Sequence, residues 1–406
     1  MYIAGEYGGM NESLALLARL TGNSVYLDAA KMFDNRKVFD GLSRNIDTIR
    51  GLHANQHIPQ MIGALREFEA SGDSWYYRIA RNFWHLVTQH YMYSIGGVGR
   101  GENFKEPDLL AQNIEADRNC ETCAAYNLLK LTGLLYRYEP DNSSYMDYYE
   151  RTLLNQIAAS QNPDITPRAH HGVTYMLPIG PGARREYSND YEDFTCCHGT
   201  GMENHVRYLE HAWHHSPDES DVYLNLFLAS VCRLKNAKTR ITVQPGCARG
   251  SYTIDISGGG DFTLHIRIPY WCRGSFHISR NGQVFSPASA EDGYYTLHGP
   301  FRDGDRLQLD MPWRIHLCYT PDSIDGQRAA SIMYGPLVMA ALSDKQEWLT
   351  LRLPSDAGQA FQEDFPSSGI PGNGSPVLWY GSLKFVPMYR AHHTAYHTYF
   401  KIEPIS

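Results

Sequence analysis

Two stretches fifty residues apart share one pattern: TGNSVYLDAAKMF (residues 21–33) and SGDSWYYRIARNF (residues 71–83). Gly22/Gly72, Ser24/Ser74, Tyr26/Tyr76, Ala30/Ala80 and Phe33/Phe83 coincide. In each, a Gly-Asn or Gly-Asp turn ends one helix, and the serine is expected to cap the next. The steps from Tyr to Ala to Phe place all three on one helical face. PDNSSYMDYYERTLLNQI, from Pro140, is a weaker third copy. Repeated helical hairpins predict a solenoid, or a closed ring in which each pair buries its face on the next.

The character changes near Ser216. FTLHIRIPYW, from Phe262, puts Phe262, Leu264, Ile266 and Ile268 on one face. RLQLDMPW, from Arg306, does the same with Leu307, Leu309 and Met311. SGGGD, RNGQ and RDGD separate such runs, which is the pattern of a β-sandwich. After a loop rich in Gly, Pro and Ser (SSGIPGNGSP, from Ser367), AYHTYFKIEPIS reads as a last strand. The expected organisation is an α plus β chain in three units: helical hairpins over 1–215, a β-sandwich over 216–345, and a short β appendage over 346–406, part of a second sandwich.

Composition excludes several classes. The net charge is −8 and the basic residues are scattered, which argues against a nucleic-acid partner. No apolar run approaches the ~18 residues of a membrane span. MYIAGEYGGMNESLALL lacks the basic-then-apolar order of a signal peptide, so the compartment stays open, with the cytoplasm slightly favoured. The 28 tyrosines and 7 tryptophans would suit sugar-stacking platforms, but ordinary cores use them more often.

Cysteine usage is the sharper signal. Cys196 and Cys197 are adjacent in DFTCCHGTGMENH (residues 193–205). Neighbouring Cα atoms are about 3.8 Å apart, whereas a relaxed disulfide needs roughly 4.4–6.8 Å. A metal ion meets no such conflict. NCETCAAYNLLKLTGLLYR, from Asn119, places Glu121 and Cys123 two apart near the start of an apolar helical stripe. Together these residues form a candidate Cys₃Glu tetrahedral site. The plain alternative is buried thiols in helices, and short patterns such as E-x-C and C-C do not exclude it. Cys232, Cys247, Cys272 and Cys318 are isolated in apparent strands and read as buried thiols. In GLHANQHIPQ, His53 and His57 stand four apart and could bind metal or sugar; a structural role is the reading for His57. His170 and His171 have no local assignment. Glu102, in GVGRGENFKEP, is either a general acid or a solvated loop residue.

EYGGMNESLALLARLTGN, GLHANQHIPQMIG, ETCAAYNLLKLTGLLYR and CCHGTGMENH together resemble the β-L-arabinofuranosidase glycoside hydrolases of families 127 and 146, also known as domain-of-unknown-function family 1680. VYLNLFLAS, MYGPLVMAA and FVPMYRAHHTAYHTYF extend the resemblance over nearly the whole chain. It implies an (α/α)₆ toroid followed by β-sandwiches, with residues 1–215 as the C-terminal half of the toroid. It implies Zn²⁺ bound by Glu121, Cys123, Cys196 and Cys197, with Cys196 as nucleophile and Glu102 as acid/base. His53 and Tyr175 (in TYMLPIG) are implied sugar contacts, and the implied partner is an arabinose-containing oligosaccharide or polysaccharide. Only about seven helical segments precede the β region, so the chain is expected to be N-terminally truncated relative to the family, exposing Leu14, Leu16, Leu17 and Leu20. Two other classes compete: a carbohydrate-binding or scaffold protein with a structural zinc, and a lyase or isomerase on a helical ring that uses His53 and Tyr175.

Overall fold

The computed structural model describes residues 8–164, 172–189, 191–235, 238–246, 248–285, 293–364 and 374–405. His170, His171 and Cys247 lie outside them, as does most of the Gly/Pro/Ser-rich loop.

The repeated stretches form helical corners. Helices α1 (Met10–Thr21) and α4 (Ala54–Ser71) end at Gly22 and Gly72, both left-handed with φ of 70° and 75°. The next helices are α2 (Ser24–Lys31) and α5 (Ser74–His90), separated in the chain by α3 (Arg36–Leu42). Their caps are Asn23 and Asp73, not the serines, which are the first helical residues. The Asx side chain, held extended after the glycine, accepts from the N–H two residues on, in Val25 and Trp75. Helix α6 (Thr122–Tyr136) follows. Helix α7 (Ser144–Thr152) runs through a π-turn (Leu153–Ile157) into α8 (Ala158–Ser160), and α9 is Cys196–Asn204. α4 packs against α1, α5 and α6, and α6 packs against α7 and α9. Ile58, Ile62, Leu65, Phe83, Leu128 and Leu131 fill their shared core. α1 turns Asn11, Ala15 and Ala18 inward, leaving Leu17 and Leu20 exposed and Leu14 and Leu16 half-buried.

Two sheets then close on one core. The first runs Trp213–His215, Asp221–Leu224, Thr263–Arg267, Tyr294–His298. The second runs Ser230–Leu234, Thr239–Pro245, Ser251–Ser257, Arg306–Asp310, His277–Arg280, Gln283–Phe285. Phe262, Leu264, Ile266 and Ile268 are buried between them with Leu307, Leu309 and Met311, as period-two alternation predicts.

The third sheet departs from the expected break at 345. Gln327–Tyr334 pairs with both Ile315–Ile324 and Leu337–Leu342, and it and Leu337–Leu342 pair with strands between Thr350 and Pro404, in a sheet of nine strands among the described residues. The change of sheet falls after Asp310. Alternation is the same in both sheets, so only hydrogen-bond pairing assigns a strand to one of them.

Both β units brace the helices. The sandwich does so through Arg267, fully buried, which meets Asp147 at 2.6 Å and Glu150 at 2.8 Å on α7 and donates to Asn225 O at 2.6 Å. The nine-stranded sheet holds the loops around residues 94–111 and 178. Tyr399 Oη accepts from Ser94 N at 2.6 Å, Asp322 accepts from Ala111 N at 2.7 Å, and Tyr396 Oη donates to Pro178 O at 2.6 Å.

Two consequences for stability are testable. Arg267→Ala leaves two acids facing a dry interface, which costs about 3–5 kcal/mol. Denaturant unfolding measures it, and a loss under about 1 kcal/mol would show that Asp147 and Glu150 find other partners. Glu67, buried on α4 beside Asp34, is pushed up to about 9, first by burial and then by the Asp34 charge. A raised folded pKa means a contribution fully present below the unfolded value near 4.5 and lost as pH rises towards 9. Glu67→Gln is therefore expected to flatten the fall in melting temperature between pH 5 and 9. Parallel wild-type and variant curves would refute it.

Candidate active site

Three helix starts converge on one point. His53 is the N-cap of α4, Glu121 is the N-cap of α6, and Cys196 and Cys197 are the first two residues of α9. Helix N-termini carry partial positive charge, so anionic groups are favoured there. Thr195 fixes the start of α9 through a capping box with His198, a T-x-x-H spacing that was present in the sequence and not used.

The two cysteine segments meet through backbone pairing. Thr122 N donates to Tyr175 O at 2.9 Å, Thr122 Oγ1 donates to Thr174 O at 2.9 Å, and Leu177 N donates to Cys120 O at 3.1 Å. Gln156, brought inward by the π-turn after α7, donates to Cys120 O at 3.0 Å and Glu121 O at 3.2 Å. Cys120 is held at φ 60° and Glu102 at φ 67°, a region that few non-glycine residues adopt. No local sequence signal marks Gln156 as a support of the site.

Glu121, Cys123, Cys196 and Cys197 each present a ligand atom, all within 4.8 Å of one another. Cys123 Sγ is 3.1 Å from Cys197 Sγ and 3.2 Å from Thr200 Oγ1, a hydroxyl that sequence reasoning passed over. Cys196 Sγ is 3.7 Å from Glu121 Oε1. Glu121, Cys123 and Cys197 are at most 2% exposed, whereas Cys196 is exposed. Burial, then the Cys196 charge, pushes the Glu121 carboxyl up to about 8. Hydrogen bonds from Cys123 and then Cys197 hold the Cys196 thiol far below its usual range. The same contacts, Cys196 on Cys123 and Cys123 on Cys197, drive those two thiols up. Protein groups alone therefore favour one anion here. Glu121 Oε2, buried without a hydrogen-bond partner among the described residues, and three sulfurs around it suit a soft-to-borderline divalent cation.

The remaining predicted residues face this cluster. Tyr175 Oη donates to Glu102 Oε1 and lies 3.8 Å from Cys196 Sγ. His53 Nε2 is 3.5 Å from Glu102 Oε2. His53, Glu102 and Glu121 form a second group with atoms within 4.8 Å, sharing Glu121 with the first. His57 is buried, with Nδ1 2.7 Å from His53 O, and burial lowers its pKa; it is a structural residue. Cys232 and Cys272 are buried and Cys318 is partly buried, all free thiols away from this site.

Comparisons with known proteins identify a family for the chain. The family model described as β-L-arabinofuranosidase, GH127 catalytic domain, matches residues 1–210, and that of the GH127 middle domain matches residues 221–313. A non-reducing end β-L-arabinofuranosidase of Bifidobacterium longum subsp. longum is 25% identical over 321 residues, covering 72% of this chain and 47% of its own. The chain thus spans about half the length of that relative. A solved GH127 β-arabinofuranosidase superposes with a TM-score of 0.76 at 21% identity, over 97% of this chain and 68% of its own. A GH127 β-L-arabinofuranosidase from Geobacillus stearothermophilus T6 gives 0.75 at 18%, over 97% and 72%. The structures share the fold, a helical domain followed by β-sheet domains. With a catalytic-domain model running from residue 1 through the C-C pair, the chain belongs to the GH127 β-L-arabinofuranosidase family.

Proposed function

We propose that this chain is a glycoside hydrolase that releases terminal β-L-arabinofuranose from an arabinose-containing oligosaccharide or polysaccharide, with retention of configuration. One observation carries the reading. Of the three clustered sulfurs only Cys196 is exposed, and Tyr175 spans from it to Glu102. A purely structural metal site would be expected to bury all its sulfurs and needs no carboxylate facing one of them. A single phenol reaching both groups suits the short separation, roughly 5–5.5 Å, of retaining pairs.

Glu121, Cys123, Cys196 and Cys197 would hold Zn²⁺, whose charge would keep the sulfurs as thiolates. Cys196 Sγ attacks the anomeric carbon while Glu102 gives its proton to the departing glycosidic oxygen. Glu102, now a carboxylate, takes a proton from water, whose oxygen displaces the Cys196 thiolate from the same carbon. Two inversions leave the configuration retained. His53 and Tyr175 orient Glu102 and the sugar hydroxyls.

Two measurements test this. Protein purified without added metal is expected to carry one zinc per chain by elemental analysis, and Cys123→Ser is expected to lose it. A ratio near zero, with Cys123, Cys196 and Cys197 freely titratable, would sink the metal centre. On an aryl β-L-arabinofuranoside, Cys196→Ser is expected to lower kcat by more than roughly 10⁴-fold. Glu102→Gln is expected to retain slow glycosylation of substrates with good leaving groups, trapping a pentose adduct on Cys196 visible by mass spectrometry. A Cys196→Ser variant near the wild-type rate would rule out the thiolate mechanism.

A further inference from the structure

A cleft of about 410 Å³ opens beside the Cys/Glu cluster, with Tyr175 in the wall of both. Its other polar walls come from Asp117, Arg184, Glu186 and Gln346. Its Asp117 wall adjoins the turn that carries Glu102. The loop carrying Asp117 and Arg118 runs against the turn carrying Glu102, where Gly101 N donates to Arg118 O at 2.7 Å.

The cleft is built by the fold. Residues 183–186 alternate: Ala183 and Arg185 are buried, while Arg184 and Glu186 are exposed and line the cleft together with the turn residue Gly182. Ala183 is pinned to Tyr396 by a backbone bridge, and Arg185 donates to Ala159 O at 3.1 Å and to Met388 O. Gly182, at φ 66°, lets the segment carrying Gln346 approach; a Cβ there would come within 2.3 Å of Gln346 Nε2. The side chains of Asp117, Arg184 and Glu186 form no hydrogen bond or ion pair with any described residue, although acid and base line the same cleft. Hydrogen-bonding groups of both kinds, held apart around a polar space, match the hydroxyls of a saccharide.

We infer that this cleft is the leaving-group subsite. It takes the sugar to which the terminal arabinofuranose is attached, and the connection between two strands of the C-terminal sheet supplies one of its walls through Gln346. The inference rests on the proposed function, because the Glu102 side is the side on which a protonated leaving group departs. It gives the nine-stranded sheet a part in substrate selection as well as in bracing.

The test compares two substrates. One is an aryl β-L-arabinofuranoside, whose leaving group carries no hydroxyls. The other is a β-L-arabinofuranosyl disaccharide. Arg184→Ala combined with Glu186→Ala is expected to raise KM for the disaccharide about tenfold or more, the loss of one or two charged hydrogen bonds. The aryl glycoside is expected to keep its kcat/KM within about twofold, because its leaving group offers Arg184 and Glu186 no hydroxyl to bind. Gln346→Ala is expected to act in the same direction. Equal effects on both substrates, or none on either, would overturn the subsite. If the wild type hydrolyses neither substrate, the proposed function fails and the cleft is judged by calorimetric titration with the disaccharide. Saturable binding weakened about tenfold in the double variant would support the subsite, and absence of binding would overturn it.

Discussion

Cys123 and Cys197 touch at 3.1 Å across 74 positions of sequence, and the architecture around them serves that contact. Bringing thiols and carboxylates together in a place this dry is unfavourable unless positive charge offsets them. The starts of α4, α6 and α9 all point at the spot, and each contributes the partial charge of its free N–H groups. A bound cation would complete the balance. The same arrangement leaves one sulfur, that of Cys196, open to solvent.

The helices alone do not fix this geometry. Glu102 and Cys120 adopt left-handed backbone conformations, which persist only where surroundings over-determine them. Around Cys120 these are the π-turn that presents Gln156 and the paired segment from Thr174 to Leu177; around Glu102 they are Ala54, whose N–H donates to Glu102 O, and Arg118, whose carbonyl accepts from Gly101 N. The nine-stranded sheet anchors the adjoining loops at Ser94, Ala111 and Pro178. The sandwich, through Arg267, fixes α7, from which the π-turn follows. Each β unit thus reaches the site indirectly, by limiting where a helix or loop can move.

How much of this was legible in the sequence varied with the range of the cause. The helical corners were, because a glycine at a left-handed cap followed by Asx and Ser is local chemistry. Even there the capping residue moved by one position, from Ser24 to Asn23 and from Ser74 to Asp73. Strand faces were legible too, since alternation follows from the pleat. Arg267 was not. It falls on the face of its strand opposite Leu264 and Ile266, where a polar residue normally meets water, and that face turned out to be covered by α7.

The sequence by itself determined the donor types, their grouping into E-x-C and C-C, the helical and β halves, and the resemblance to a family. Tertiary structure decided the rest: that the two groups meet, that Cys196 alone stays exposed, that Tyr175 reaches both Cys196 and Glu102, and that residues 315–342 join the last sheet. The physical reason is the range of the interactions. Caps, turns and alternation act over a few residues and are written locally. Which thiol is buried, and which sheet a strand enters, follow from contacts between segments tens to hundreds of positions apart, chosen by packing and hydrogen-bond pairing across the whole chain.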